Sequence, residues 1–310
     1  MPPCAPNGIR FSDRIRAYPV ALELKDSLGW GPKRIGQHLG LPPSTICNWI
    51  HGRFLPYGSC VLPRLEPSPP LSYLIGALRG DGDLIRSRAY HYELRLRVRD
   101  LDFAQHFSSC LTAITGRPRS PKLDTRGFFV VRAWSRLLFE YLSEWKSVLG
   151  TVDRYPAEFI QGFADAEGSP AVSANLDRPL TLHVVLVNTN RPLLAYIGEL
   201  LKVKFDIESK IFVDHRKHLM WGKAPCYYLR IRRRTDVERF ASGIGFSIKR
   251  KQEKLLTALS LIQTYGSSAA GLEWRKIFSK RGRIWVRMTD PDHCSRRSSI
   301  GSGTGAPGGI

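Results

Sequence analysis

Two stretches of this 310-residue chain decide its fold: LSYLIGALRGDGDL at residues 71–84 and AEFIQGFADAEGSP at residues 157–170. They align from Leu74 to Gly82 on Ile160 to Gly168. Each sets two small residues four apart, Gly76 and Gly80 in the first, Gly162 and Ala166 in the second. At helical periodicity each pair falls on one face, where another backbone can approach closely. Each stretch then ends in an acid followed by glycine, Asp81-Gly82 and Glu167-Gly168, and the glycine is predicted to stop the helix in a left-handed conformation.

If the two helices pack through their small faces, Asp81 and Glu167 meet at one end of the seam. Both stand at helix C-termini, where the macrodipole already disfavours negative charge. Two carboxylates held there need a cation, and oxygen-only ligands favour a hard ion such as Mg²⁺, which keeps several waters and accepts phosphate oxygens. Such a site can activate water and stabilise the leaving oxygen in phosphodiester hydrolysis. With its acids 86 residues apart (167 − 81), the duplicated motif resembles the LAGLIDADG homing endonucleases of the single-chain, two-motif type. The resemblance spans residues 71 to 265. It implies an α+β fold of two pseudo-symmetric αββαββα halves, 71–150 and 151–265, forming saddle-shaped antiparallel sheets astride DNA. Arg79 departs from the family pattern, whereas Asp165 keeps the acid in the second copy.

The charge supports a polyanionic partner. Lys and Arg number 47 against 27 Asp and Glu, a net +20, far more than solubility requires. In YELRLRVR, Leu94, Leu96 and Val98 alternate with Arg95, Arg97 and Arg99; in YYLRIRRR, Leu229 and Ile231 alternate with Arg230 and Arg232. A row of arginines on one strand face is a surface for phosphates. By the resemblance, a lysine of IKRKQEKL reaches the active site: Lys249 is the candidate and Lys251 the alternative. The first half has no such pair, and Lys146 reads as a surface residue, so the two sites are expected to be unequal.

Upstream, WGPKRIGQHLGLPPSTICNWIHGR reads as two short helices joined by a tight turn. Pro32 opens the first, Gly40 supplies a left-handed stop, and Ser44 is the expected N-cap of the second. The pattern resembles the helix-turn-helix of resolvases and transposases. That resemblance assigns residues 10–55 to a DNA-binding module in which Ser44, Thr45 and Asn48 face bases or phosphates and His51 and Arg53 lie near the backbone. Residues 56–70, with five prolines from Pro56 to Pro70, read as a stiff linker. Residues 266–310 read as a basic, largely disordered tail. Six scattered cysteines without a CxxC pair argue against a zinc site or disulfide framework.

The leading expectation is a Mg²⁺-dependent endonuclease that cuts both strands of a long asymmetric DNA target as a monomer. Asp81 and Glu167 hold the metal and Lys249 stabilises charge on the scissile phosphate. The alternatives are an intron RNA maturase, with host intron RNA as partner, and a transcription regulator using the fold for binding alone. With no apolar run long enough to span a bilayer, no membrane partner is expected, and the predicted location is cytoplasmic and nucleoid-associated.

Overall fold

The computed structural model describes residues 11–53, 55–56, 62–87, 92–175, 178–214, 225–282 and 284–288. At the N-terminal end, α1 (Phe11–Leu28), α2 (Pro32–Leu39) and α3 (Pro43–Ile50) enclose a small core of Ala21, Ile35, Leu41, Ile46 and Trp49. Pro32 opens α2, and Gly40 ends it in the left-handed region at φ 65°. The expected cap at Ser44 is not made. Pro42 takes the N-cap position and Pro43 the first turn, where its missing N–H costs nothing, so Ser44 lies inside the helix.

Two copies of one element order follow. The first runs α4 (Pro69–Gly80), β1 (Gly82–Arg86), β2 (Tyr92–Val98), α5 (Leu101–Thr115), β3 (Lys122–Leu123), β4 (Phe129–Trp134), α6 (Arg136–Ser143) and α7 (Trp145–Arg154). The second runs α8 (Pro156–Glu167), β5 (Gly168–Ser173), β6 (Thr181–Asn188), α9 (Arg191–Phe205), β7 (Ser209–Asp214), β8 (Cys226–Ile231), α10 (Arg234–Gly243) and α11 (Lys249–Ile277). Their antiparallel sheets have the same order, β1-β2-β4-β3 and β5-β6-β8-β7. Two helices close each half rather than the expected one. No described helix is long and apolar enough to cross a membrane.

The alternation in the arginine-rich strands places one face in the core. Leu94, Leu96 and Val98 are buried, as are Leu229 and Ile231, while Arg95, Arg97 and Arg230 lie on the opposite face, half-buried. Arg99 and Arg232 each fall one residue beyond their strand and are exposed. One continuous core joins both halves through α4 and α8, which bury Tyr73, Leu74, Phe159 and Phe163.

The C-terminal region corrects the sequence reading. Gly266 breaks α11 at φ 71°, but the helix resumes to Ile277, and a hairpin of β9 (Phe278–Arg281) and β10 (Ile284–Arg287) follows. Arg275 donates to the carbonyl of Ala174, and Ser267 accepts from the Leu180 amide. Trp274 stacks on Phe278 with ring centroids 3.9 Å apart, and Trp285 meets it edge-on at 6.1 Å. Composition reads this stretch as unable to bury surface; three aromatics supply the missing area. Residues 289–310 lie outside the described residues, as do 57–61 of the Pro-rich stretch, whose last two residues belong to α4.

Candidate functional site

The small residues of α4 and α8 set the approach of the two helices. A Cβ on Gly76 would lie 2.0 Å from the Phe159 carbonyl oxygen; one on Gly162 would lie 2.2 Å from that of Tyr73. These are reciprocal positions of the repeat, so the helices are related by a pseudo-two-fold. A Cβ on Gly80 would lie 2.4 Å from Ala166 Cβ and 2.9 Å from Glu167 Cγ. Contacts therefore advance together along both chains. The helices run in the same direction and their acid-bearing ends coincide.

Asp81 caps α4, its amide donating to Ala77, and Glu167 is the last residue of α8. The glycines that follow are not left-handed, contrary to the sequence reading. Gly168 is extended at φ −98°, and neither it nor Gly82 has positive φ. They are needed for space. A Cβ at Gly82 would lie 2.7 Å from Leu78 Cα, and one at Gly168 would lie 2.5 Å from the Ala164 carbonyl oxygen. The chain turns straight from helix into β1 and β5, with no room for a side chain at the corner.

Burial holds the Asp81 carboxyl above the usual carboxylate range; Lys251 pulls it down and Asp100 pushes it up. Glu167 accepts a 2.8 Å hydrogen bond from Asn188 Nδ2. Lys251 lies against the same end of the seam. Its Nζ donates to the carbonyls of Asp165 at 2.5 Å and Ala164 at 3.3 Å, and burial brings its pKa down to about 8. Of the two lysine candidates, Lys251 is the buried one. Lys249 is exposed at the start of α11, and its amide donates to Asp102 Oδ2 at 2.6 Å.

That N-terminus is fixed across the two halves. Arg250 forms a two-pronged ion pair with Asp100, the N-cap of α5, at 2.6 and 2.7 Å. The sequence reading passed over this clamp, whose only signal was the acid pair Asp100 and Asp102 at a helix start. The departure at Arg79 also becomes intelligible. Asp165, at the matching position, is buried and accepts from Tyr73 Oη at 2.7 Å and from the Ser247 and Ile248 amides that lead into α11. Arg79 instead donates to Leu142 O at the end of α6, 3.0 Å away, and lies over Trp145. An acid meets a helix N-terminus in one half and a cation meets a helix C-terminus in the other, each the sign the helix dipole favours.

Residues 154–245 match the LAGLIDADG-like domain model, from the last residue of α7 to just past the end of α10. The uncharacterized protein MJ0398 of Methanocaldococcus jannaschii is 32% identical over 234 residues, which span 71% of this chain and 83% of that protein. This chain belongs to the same family. A second protein of that organism, the uncharacterized MJ0314, is 26% identical over 51% of this chain and 62% of its own length. Similar solved structures include I-DmoI in complex with DNA and Ca (18% identity, TM-score 0.45, 61% of this chain and 97% of that one). Another is the LAGLIDADG meganuclease I-AabMI bound to uncleaved DNA (10% identity, TM-score 0.46, 67% and 97%). The LAGLIDADG-like domain of this chain contains Glu167 and the whole second sheet, while Lys251 lies just beyond its matched end.

The other predicted residues occupy three surfaces. Arg95 pairs with Asp83 at 2.7 Å and Arg97 with Asp124 at 2.8 Å, and both Arg97 and Arg99 lie over the Phe128 ring. Arg230 lies over Phe212 and Tyr228, which stack on each other, and its Nε is buried without a hydrogen-bond partner. Ser44 and Arg53 are exposed on and after α3, with Thr45 and Asn48 half-buried.

Proposed function

We propose that this protein is a site-specific DNA endonuclease that hydrolyses phosphodiester bonds in both strands of a long, asymmetric target, using Mg²⁺. The observation that carries this reading is the coincidence of Asp81 and Glu167 at one end of a seam too tight for a Cβ, beside a buried lysine. The donor set suits the ion. Asp81 and Glu167 would offer two carboxylates and leave other positions to water and phosphate oxygens, the coordination Mg²⁺ prefers; among the described residues no group of three or more His, Cys, Asp or Glu is placed to hold a metal ion. Bound there, the ion would polarise the phosphate and lower the pKa of a water.

The chain's own groups do the rest. Asp81 and Glu167 would hold the ion, with the Glu167 carboxylate oriented by Asn188. The Lys251 ammonium, not that of Lys249, stabilises charge developing on the scissile phosphate. The sheet faces bearing Arg95, Arg97, Arg99, Arg230 and Arg232 lie along the major groove, and two nonidentical halves in one chain suit a monomer on a non-palindromic site. The module α1–α3 extends the footprint through Ser44, Thr45, Asn48 and Arg53. The test is cleavage of a duplex library with Mg²⁺. Asp81→Asn and Glu167→Gln are each expected to abolish cutting while retaining binding. Cutting by either variant at the wild-type rate would overturn the mechanism.

A further inference from the structure

A cleft of about 1040 Å³ opens beside Lys251, walled by the first turns of α11, the start of α5, the edge strand β5 and the hairpin residues Trp285–Arg287. Its lining includes Arg99, Lys249, Lys254 and Lys251, the last already donating to the Asp165 and Ala164 carbonyls. Two further arginines there are already engaged, Arg250 by Asp100 and Arg287 by Glu253. Lys254 is different. It is half-buried, and no hydrogen bond or ion pair joins it to any described residue. The charged group that acts on it is Arg250, one turn back on the same face, and burial together with this like charge brings its pKa down to about 8. A desolvated ammonium beside a guanidinium and without an acid destabilises the fold unless an outside anion meets it.

We propose that this cleft seats the sugar–phosphate strand as it leaves the Asp81 end of the seam, with Lys254 gripping a backbone phosphate. The inference rests on the DNA reading above and deepens it. Lys251 and Lys254 are three residues apart on α11, about 4.5 Å along its axis, so one continuous strand passes both. Several cations lining one cleft fit a polyanionic strand better than a single small anion. The apolar wall of Pro170, Val172, Phe278 and Trp285 offers sugars a surface without polar competition. The C-terminal hairpin thereby gains a role as one bank of the channel.

The test measures binding of the full chain to a labelled random-sequence duplex by anisotropy across a KCl series without divalent metal. Lys254→Gln should weaken binding about equally for all sequences and flatten the slope of log affinity against log salt by about 0.9, one phosphate contact. Lys254→Arg should restore both. Thermal melting of Lys254→Gln should match or exceed the wild type, since an unpaired, partly desolvated charge has been removed, which separates the effect from misfolding. An unchanged slope and affinity would overturn the cleft proposal and leave the nuclease reading standing. Stabilisation by inorganic phosphate that requires Lys254, with an unchanged DNA slope, would overturn it in favour of a free-anion site. A wild-type chain that binds no duplex would instead sink the DNA reading itself.

Discussion

The two halves share an element order and a sheet topology, yet they deploy charge differently. On the outer face of the first sheet Arg95 and Arg97 are paired with Asp83 and Asp124, and Arg132 lies 3.3 Å from Glu93. On the second, Arg230 is held by two aromatic rings, with Lys210 as its cross-strand neighbour and a buried nitrogen lacking an acceptor. The closing helices differ as well. α11 sends Lys251 to the seam, whereas α7 begins with Trp145, packed on Arg79, Phe159 and Tyr196, and leaves Lys146 exposed. Duplication thus preserved the backbone frame while the chemistry hung on it diverged. A two-fold frame with unequal side chains is what an asymmetric target and unequal strand cutting would use.

The sharpest way to break that contrast is at Lys251. Its replacement by Met removes the cation on the Asp81 side and should slow one strand by about 10²- to 10³-fold, so nicked duplex accumulates on a gel. Equal slowing of both strands would make the sites equivalent. The same lysine should set a pH limb. Because its pKa is brought down to about 8, it is charged below that pH and neutral above it. Cutting of that strand should therefore fall as pH rises through about 8, and Lys251→Arg should remove the fall.

The seam tests the part of the comparison in which the halves agree. Gly76→Ala and Gly162→Ala each drive a methyl onto a backbone carbonyl that cannot move alone. Each should lower stability by about 3 kcal/mol, the upper end of ordinary overpacking, seen as matching drops in thermal midpoint. Tolerance of one and not the other would break the pseudo-two-fold. The smallest effect is expected on the sheets. Arg230→Ala should cost about 1–3 kcal/mol of DNA affinity, and Arg95→Ala less, since Arg95 must first leave Asp83. Equal losses by equilibrium titration would show that the internal pairing of the first sheet does not matter for binding.

Much of the fold was legible because its periodicities are local. The four-residue spacing of Gly76, Gly80, Gly162 and Ala166 marks both seam faces, and the alternation Leu94-Arg95-Leu96-Arg97 marks which side of a strand meets the core. The misreadings share one cause. At Gly82 and Gly168 an acid followed by glycine suggests a left-handed stop, but the constraint is the bulk of Leu78 and Ala164, one turn back, and of Leu186 across the sheet. In the C-terminal stretch, Ser and Gly conceal Trp274, Phe278 and Trp285, whose value appears only once they stack. Ser44 lost its cap to a proline pair that starts the helix two residues earlier.

By itself the sequence determined the duplication, the close approach of two helices, the acids at their ends and the excess of positive charge, because each is a matter of residue type and spacing along one chain. Only the tertiary structure decided that Lys251 rather than Lys249 reaches the seam, that Asp100 and Arg250 tie the halves together, and that Lys254 lies half-buried with no acid paired to it. Those depend on which side chains from distant segments share a desolvated space, and desolvation is a property of the packed whole that no local pattern encodes.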